Sequence, residues 1–391
     1  MTLTEALHLE AEEAPALDPH EGLGHLTLDV GTDLIPTLAV GADLDGAFSV
    51  ASGRRFRLSR GFEDLRSGAR MRAYLAELSR FEGQLEIEFE QVAHDLDPGL
   101  VTTRLARSLG LPTVEVQHHH AHVAAVMAEH HVEGKLIGVV LDGPALGSDG
   151  ATWGGEFLLC DGPAFSRGGR FRPVPRLGSG AAAIDAVRMA ASHAADAGVL
   201  SQALRLMHLS MARSRDLQEE VGRPSSAGTT SSAEELFDAL GALTGFAHGS
   251  RVQGQSAARL GEGAATSATF EYPFDISVED GLLVLDTRPV IAAVVRDLVK
   301  GRHNADVAGR FHRTMAAGIL AACRLLRGQT GLDRVVLAGS VLANDLLLSD
   351  LAARLGSVGF TVFRARKLPP GDGGLALGQA FVAAVPAPAR P

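Results

Sequence analysis

Two segments one hundred residues apart echo one another: IPTLAVGADLDGAFSVASGRRFRLSR at residues 35–60 and KLIGVVLDGPALGSDGATWGGEFLLC at residues 135–160. Each reads as strand, acid-and-glycine turn, strand, tight turn, strand, and helical patterns follow each. Asp149-Gly150 is a good hairpin dipeptide in the second copy. The offset is too long for a solenoid unit. It suits two tandem α/β lobes of related fold, and the competing reading is two unrelated meanders in one α/β domain. The lobes are expected at 35–134 and 135–391, after an N-terminal extension over 1–34. A length of 391 residues accommodates both. With 46% apolar but only 5% aromatic residues, the cores must be mostly aliphatic.

Other stretches fit this plan. EIEFEQVA, residues 86–93, alternates like a strand, and residues 181–215 carry helical spacing. GRPSSAGTTSS is a polar loop, with Ser231 and Ser232 as caps for a helix opening at Glu234. RVVLAGSVLANDLLLSDLAARL reads as strand, glycine turn, helix, and TVFRARKLPPGDGGLALGQAFVAAV as strand, Pro-Gly loop, helix. The acidic N-terminus lacks the basic and apolar regions of a secretory signal, and the tail VPAPARP is expected to fray. No apolar run is long enough to span a membrane. The two cysteines, Cys160 and Cys323, form no CxxC motif. A net charge of −10 speaks against a nucleic-acid surface. A cytoplasmic protein without membrane or nucleic-acid partners is the expectation.

Chemistry concentrates in VEVQHHHAHVAAVMAEHH, residues 114–131. After a short strand, a helix is expected from about Gln117 to His131. His118 and His122 then share one face, a spacing that chelates a single ion, and Glu129 falls on the same side. His119 and His120 point elsewhere, while His130 and His131 suit a helix C-terminus. On spacing alone, a partly exposed helix with surface histidines is the simpler reading. Two acids would complete a metal site. Asp142 ends the apolar run LIGVVL, where α/β folds build their sites, or else forms an Asp-Gly turn. Asp372, framed by glycines in PPGDGGLALG, is a ligand or a helix cap. Two histidines and two carboxylates suit iron or zinc with positions left for substrate. In LAGSVLAND, Gly339 allows close approach of a ligand and Asn344 could bond a base or ribose; ordinary strand-to-helix packing explains them equally well. Trp153, in GATWGGEFLL, reads as a core aromatic at a hairpin.

VQHHHAHVAAVMAEH, LDGPALGSDGATWGGEFLL, TSSAEELFDAL and PPGDGGLALGQA resemble, in that order, the C-terminal module of HypF. HypF is the carbamoyltransferase of [NiFe]-hydrogenase maturation, and the module is related to the tRNA threonylcarbamoyl transferase TsaD. The likeness runs from about residue 36 to about residue 385. It implies two RNase H-like lobes of the ASKHA superfamily with a cleft between them. It implies a metal on His118, His122, Asp142 and Asp372, and an ATP-derived carbamoyl-adenylate facing the glycine-rich turns at Gly143, Gly339, Ser340, Asn344 and Gly373. The acceptor it implies is the C-terminal cysteine of HypE. HypF's front domains are expected to be missing, so a separate adenylate-forming protein would supply the donor.

Several positions depart from the family pattern. Asp45 replaces a lysine, Ser340 lies in AGSV where SGGV is usual, Glu234 and Glu235 replace Gly-Arg, and Gln253 replaces a glutamate. An aspartate beside a phosphate repels it. Three readings follow: a HypF-like carbamoyltransferase, a catalytically weakened metal-binding paralogue serving as scaffold, or an O- or threonylcarbamoyl transferase for another acceptor. The first is taken as the expectation.

Overall fold

The computed structural model describes residues 26–178, 185–223, 225, 227–246, 254–369 and 371–386. Most of the expected extension, Gln253 and the end of the tail lie outside them. The chain is α/β and divides into two compact units. One holds residues up to 135 together with 160–165 and 363 onward; the other holds 136–159 and 166–362.

The first unit is built on strands β1 (Leu26–Ala39), β2 (Ser49–Leu58), β3 (Gln91–Asp95) and β4 (Thr113–Val116), in the order β2-β1-β3-β4. β1 pairs antiparallel with β2 and parallel with β3, and β3 pairs parallel with β4. Alternation assigns the two faces. Leu38, Val40, Val50 and Val92 join Phe48, Tyr74, Leu78 and Phe81 in one core, under the helix Gly68–Leu85. Ala39, Ala51 and Ala93 join Ala121, Ala125, Leu375, Ala376 and Ala380 in another. That second face is lined by small side chains, so helices pack close to it. The strand expected over 86–93 begins only at Gln91, because Glu86 closes the preceding helix in a left-handed conformation at φ 49°. β1 starts at Leu26, so part of the expected extension is sheet.

The second sheet, most of whose residues fall in the second unit, comprises β5 (Lys135–Leu146), β6 (Thr152–Asp161), β7 (Ala164–Phe171), β8 (Val174–Pro175), β9 (Thr229–Thr230), β10 (Asp275–Glu279), β11 (Leu282–Asp286), β12 (Arg334–Ala338) and β13 (Thr361–Arg364). Their main path runs β10-β11-β7-β6-β5-β12-β13. β5 is parallel to β12, with Val139 opposite Leu337 and Val140 opposite Ala338. Helices Ala186–Asp196, Ala233–Thr244, Arg288–Val299, Asn304–Thr330 and Asp345–Ser357 contribute to a largely aliphatic core. The expected second lobe ran to residue 391, but the C-terminal helix Leu375–Ala384 belongs to the first unit. It does so because its apolar residues pack on the small-residue face of the first sheet. Among the described residues, no helix is long and apolar enough to cross a membrane.

Candidate metal centre and glycine loops

The helix His118–His130 starts behind Gln117, whose side chain accepts from His120 N at 2.9 Å, and ends at His131 in a left-handed cap. Every residue from His118 to Ala128 is buried, so the helix is not the exposed, surface-histidine element that spacing alone suggested. Its position is set by the C-terminal helix. A Cβ on Gly378 would stand 1.8 Å from the carbonyl oxygen of Ala121, so the two backbones meet where only glycine fits. Ala121 lies between His118 and His122, and this contact holds the histidine-bearing turn in place.

His118 and His122 both aim at Asp372, which opens a short 3-10 turn, Asp372–Gly374. Their Nε2 atoms lie 3.3 and 3.4 Å from the same Asp372 Oδ1. On its other side, His118 Nδ1 lies 2.7 Å from Asp95 Oδ2, a short charge-assisted bond. In neutral imidazole that bond places the proton on Nδ1 and leaves the Nε2 lone pair facing a carboxylate. Two acceptors facing each other are reconciled by a cation. Ligands about 2.0–2.2 Å from one ion lie about 2.8–3.6 Å apart, which matches the Nε2–Oδ1 separations. The donor set therefore fits a divalent transition metal, and Asp95 orients one ligand in the manner of a carboxylate–histidine–metal relay. Asp95 was not singled out in the sequence, although an acid at the end of a parallel strand was a usable signal. Its other oxygen accepts from Asp97 N at 3.0 Å.

The remaining histidines of the run serve the fold. His119 Nδ1 lies 3.0 Å from the Gln117 amide. His120 stacks on Phe165 and bonds Gly162 O, and burial pushes its pKa down to about 4. His130 Nε2 donates to Arg364 O, and Glu129 accepts from Arg366 N and Lys367 N. Beside Asp372, Gly373 packs on Pro369. Asp45 is exposed at φ 46°; its pKa is raised by desolvation, by Asp372 and by Glu63. Its carboxylate therefore adds negative charge near Asp372, where the family pattern has a lysine.

In the second unit Asp142 does not form a turn: it lies within β5, which runs unbroken to Leu146. Asp142 is buried; its Oδ1 accepts from Ser340 N at 2.9 Å, and its carbonyl accepts from the Ser232 hydroxyl. Gly339, at φ 104°, lets this happen, since a Cβ there would meet Leu141 O at 2.3 Å. Ser340 thus positions Asp142 through its backbone. Asn344 caps the helix Asp345–Ser357 by accepting from Leu347 N, while its amide donates to Ala257 O and to His312 Nε2. Its polar atoms are engaged in packing, so the structural alternative describes it. Gly143 faces the carboxylate of Glu234. Trp153 is buried, donates to Asp149 and lies under the Arg167 guanidinium, while Arg167 also binds buried Glu156. That network makes the Trp-Gly-Gly-Glu motif structural here.

Comparison with known proteins matches residues 33–129 to the HypF Kae1-like domain and residues 138–379 to the second subdomain of the carbamoyltransferase Kae1-like domain. Carbamoyltransferase HypF2 of Cupriavidus necator is 34% identical over 90% of this chain and 47% of its own length. A carbamoyltransferase HypF homolog of the same organism is 32% identical over 92% of this chain and 94% of its own length. A crystal structure of full-length HypF in a phosphate- and nucleotide-bound form superposes with a TM-score of 0.86 at 31% identity, over 91% of this chain and 47% of that one. The chain thus spans about half the length of the HypF2 relative and of that full-length structure. With both Kae1-like subdomain models matched in order along one α/β chain, the protein belongs to the HypF carbamoyltransferase family.

Proposed function

We propose that this chain transfers a carbamoyl group from carbamoyl-adenylate to the C-terminal cysteine of a HypE-type protein. The acceptor thiolate attacks the carbamoyl carbon, a C–S bond forms, the C–O bond to the phosphate breaks, and AMP leaves. The observation that carries the reading is the convergence of two buried imidazoles on one carboxylate, with the other ring nitrogen of His118 engaged by Asp95. His118, His122 and Asp372 would hold a divalent ion, iron or zinc, with Asp142 as the fourth ligand expected from the family motif. Such an ion would supply Lewis-acid polarisation of the mixed anhydride. The chain's own groups would orient the donor and keep water from it. Gly143, Gly339, Ser340 and Gly373 would lie along the nucleotide. The reading also places the protein in the cytoplasm, and its two buried cysteines carry free thiols.

A second reading, a metal-binding paralogue without transfer activity, is favoured by the acids at Asp45 and Glu234. One assay separates them. The protein is mixed with HypE, carbamoyl phosphate, ATP and a separately expressed adenylate-forming domain, and HypE is weighed intact. A carbamoyl-sized gain that requires this chain supports transfer. No gain, with metal bound and HypE intact, leaves the scaffold reading.

A further inference from the structure

The second unit contains a glycine-framed anion nest, and we propose that its occupant is the chain's own Glu234, which excludes a phosphate from it. Glu234 projects from the first turn of the helix Ala233–Thr244. Its Oε1 accepts from Gly254 N at 2.7 Å, the length of a charge-assisted bond. Its Oε2 lies 3.4 Å from the Ser340 hydroxyl. The same Oε2 would stand 2.8 Å from a Cβ on Gly143, so the carboxylate rests directly against a bare backbone. Gly254 itself sits at φ 68°, where a Cβ would meet Ser340 O at 2.4 Å. Glycines on two sides, a backbone N–H and a hydroxyl converge on the two carboxylate oxygens. A nest of this kind recognises oxyanions in general, and a carboxylate satisfies it as a phosphate oxygen pair would.

Tethering decides the occupant. A side chain on an adjacent helix competes at an effective concentration in the millimolar range or above, before any charge repulsion against an incoming phosphate is counted. Glu234 is thus a specificity-determining residue. It closes the nest itself to phosphate, so a donor lying along Gly143, Gly339 and Ser340 would set its nucleoside there and keep its phosphate outside the nest. This inference deepens the proposed function, because it concerns the donor's phosphate, but its test does not depend on transfer.

The test is calorimetric titration of the full chain with inorganic phosphate and, separately, with AMP. Wild type is compared with Glu234→Gly and Glu234→Ala; the latter retains helix propensity and guards against a misfolded glycine variant. Circular dichroism and metal content check the fold. The expected result is a gain of at least tenfold in affinity in either variant, for both ligands if the nest reads phosphate alone and for AMP only if it reads the nucleotide. Equal affinity in wild type and both folded variants, or no binding by any of them, would overturn the proposal. A gain in binding together with a negative transfer assay would leave the nest assignment standing and remove the transferase reading.

Discussion

The two units treat an exposed lone pair in opposite ways. In the first, the Nε2 atoms of His118 and His122 share Asp372 Oδ1 at separations suited to two ligands of one ion. In the second, a glycine loop of the type that faces phosphates is engaged by Glu234, at 2.7 Å from Gly254 N. The acids after the echoed strands differ as well. Asp43 spends both oxygens on Val101 N and Thr102 N and so starts a helix, whereas Asp142 accepts from Ser340 N within a strand. A duplicated topology therefore does not imply a duplicated site. The first unit holds donors whose spacing fits a cation, while in the second a carboxylate engages the glycine loop.

The largest effect expected from breaking this contrast is loss of metal. His122→Ala or Asp372→Ala should each lower metal affinity by more than about 100-fold, beyond what removal of an orienting neighbour costs. Elemental analysis of purified protein checks this, and retention of metal by both variants would remove the cradle from the first unit. In the second unit, Asn344→Ala should destabilise by about 2–4 kcal/mol. Loss of a helix cap costs about 1 kcal/mol, and the stranded partners Ala257 O and His312 add the rest. Urea unfolding reads this, with metal content unchanged. Unaltered stability would return Asn344 to a ligand-binding role.

Asp238 sharpens the electrostatic side of the second unit. Burial, with Glu235 adding, raises its pKa to about 6. A carboxyl raised in the folded state takes up a proton on folding, so the stability it contributes is present below about pH 4 and lost as pH rises through about 6. Asp238→Asn should abolish that slope and stabilise the protein at pH 7 by up to about 3 kcal/mol. Melting curves from pH 4 to pH 7 would show parallel profiles if the idea is wrong. The smallest effect belongs to Asp95→Asn, which keeps the shape but weakens the hold on His118. Metal affinity should fall about 10–100-fold, with little change in fold. A metal titration that matched wild type would make Asp95 a packing residue.

Much of this was legible along the chain. The strand-turn-strand reading of residues 35–60 and the i,i+4 spacing of His118 and His122 follow from backbone geometry, which acts over a few residues. The caps at Ser232 and His131 are equally local. The Asp142-Gly143 pair misled because Asp-Gly favours turns in isolation, while pairing of β5 with β12 kept the strand extended. Burial of the histidine helix was also hidden: its low contrast between faces reads as surface until a second helix covers it.

Sequence alone determined the α/β plan, the helix that carries the histidines, and the motifs that place the chain among HypF carbamoyltransferases. Tertiary structure decided which of those residues meet. Asp95 reaches His118, Asp372 reaches both imidazoles, and Glu234 reaches Gly254 across stretches of chain with no local periodicity to announce them. The physical reason is packing. Helix and strand formation depend on neighbours in sequence, but the approach of Gly378 to Ala121, and of Gly339 to Leu141, depends on the closest distance two backbones can reach.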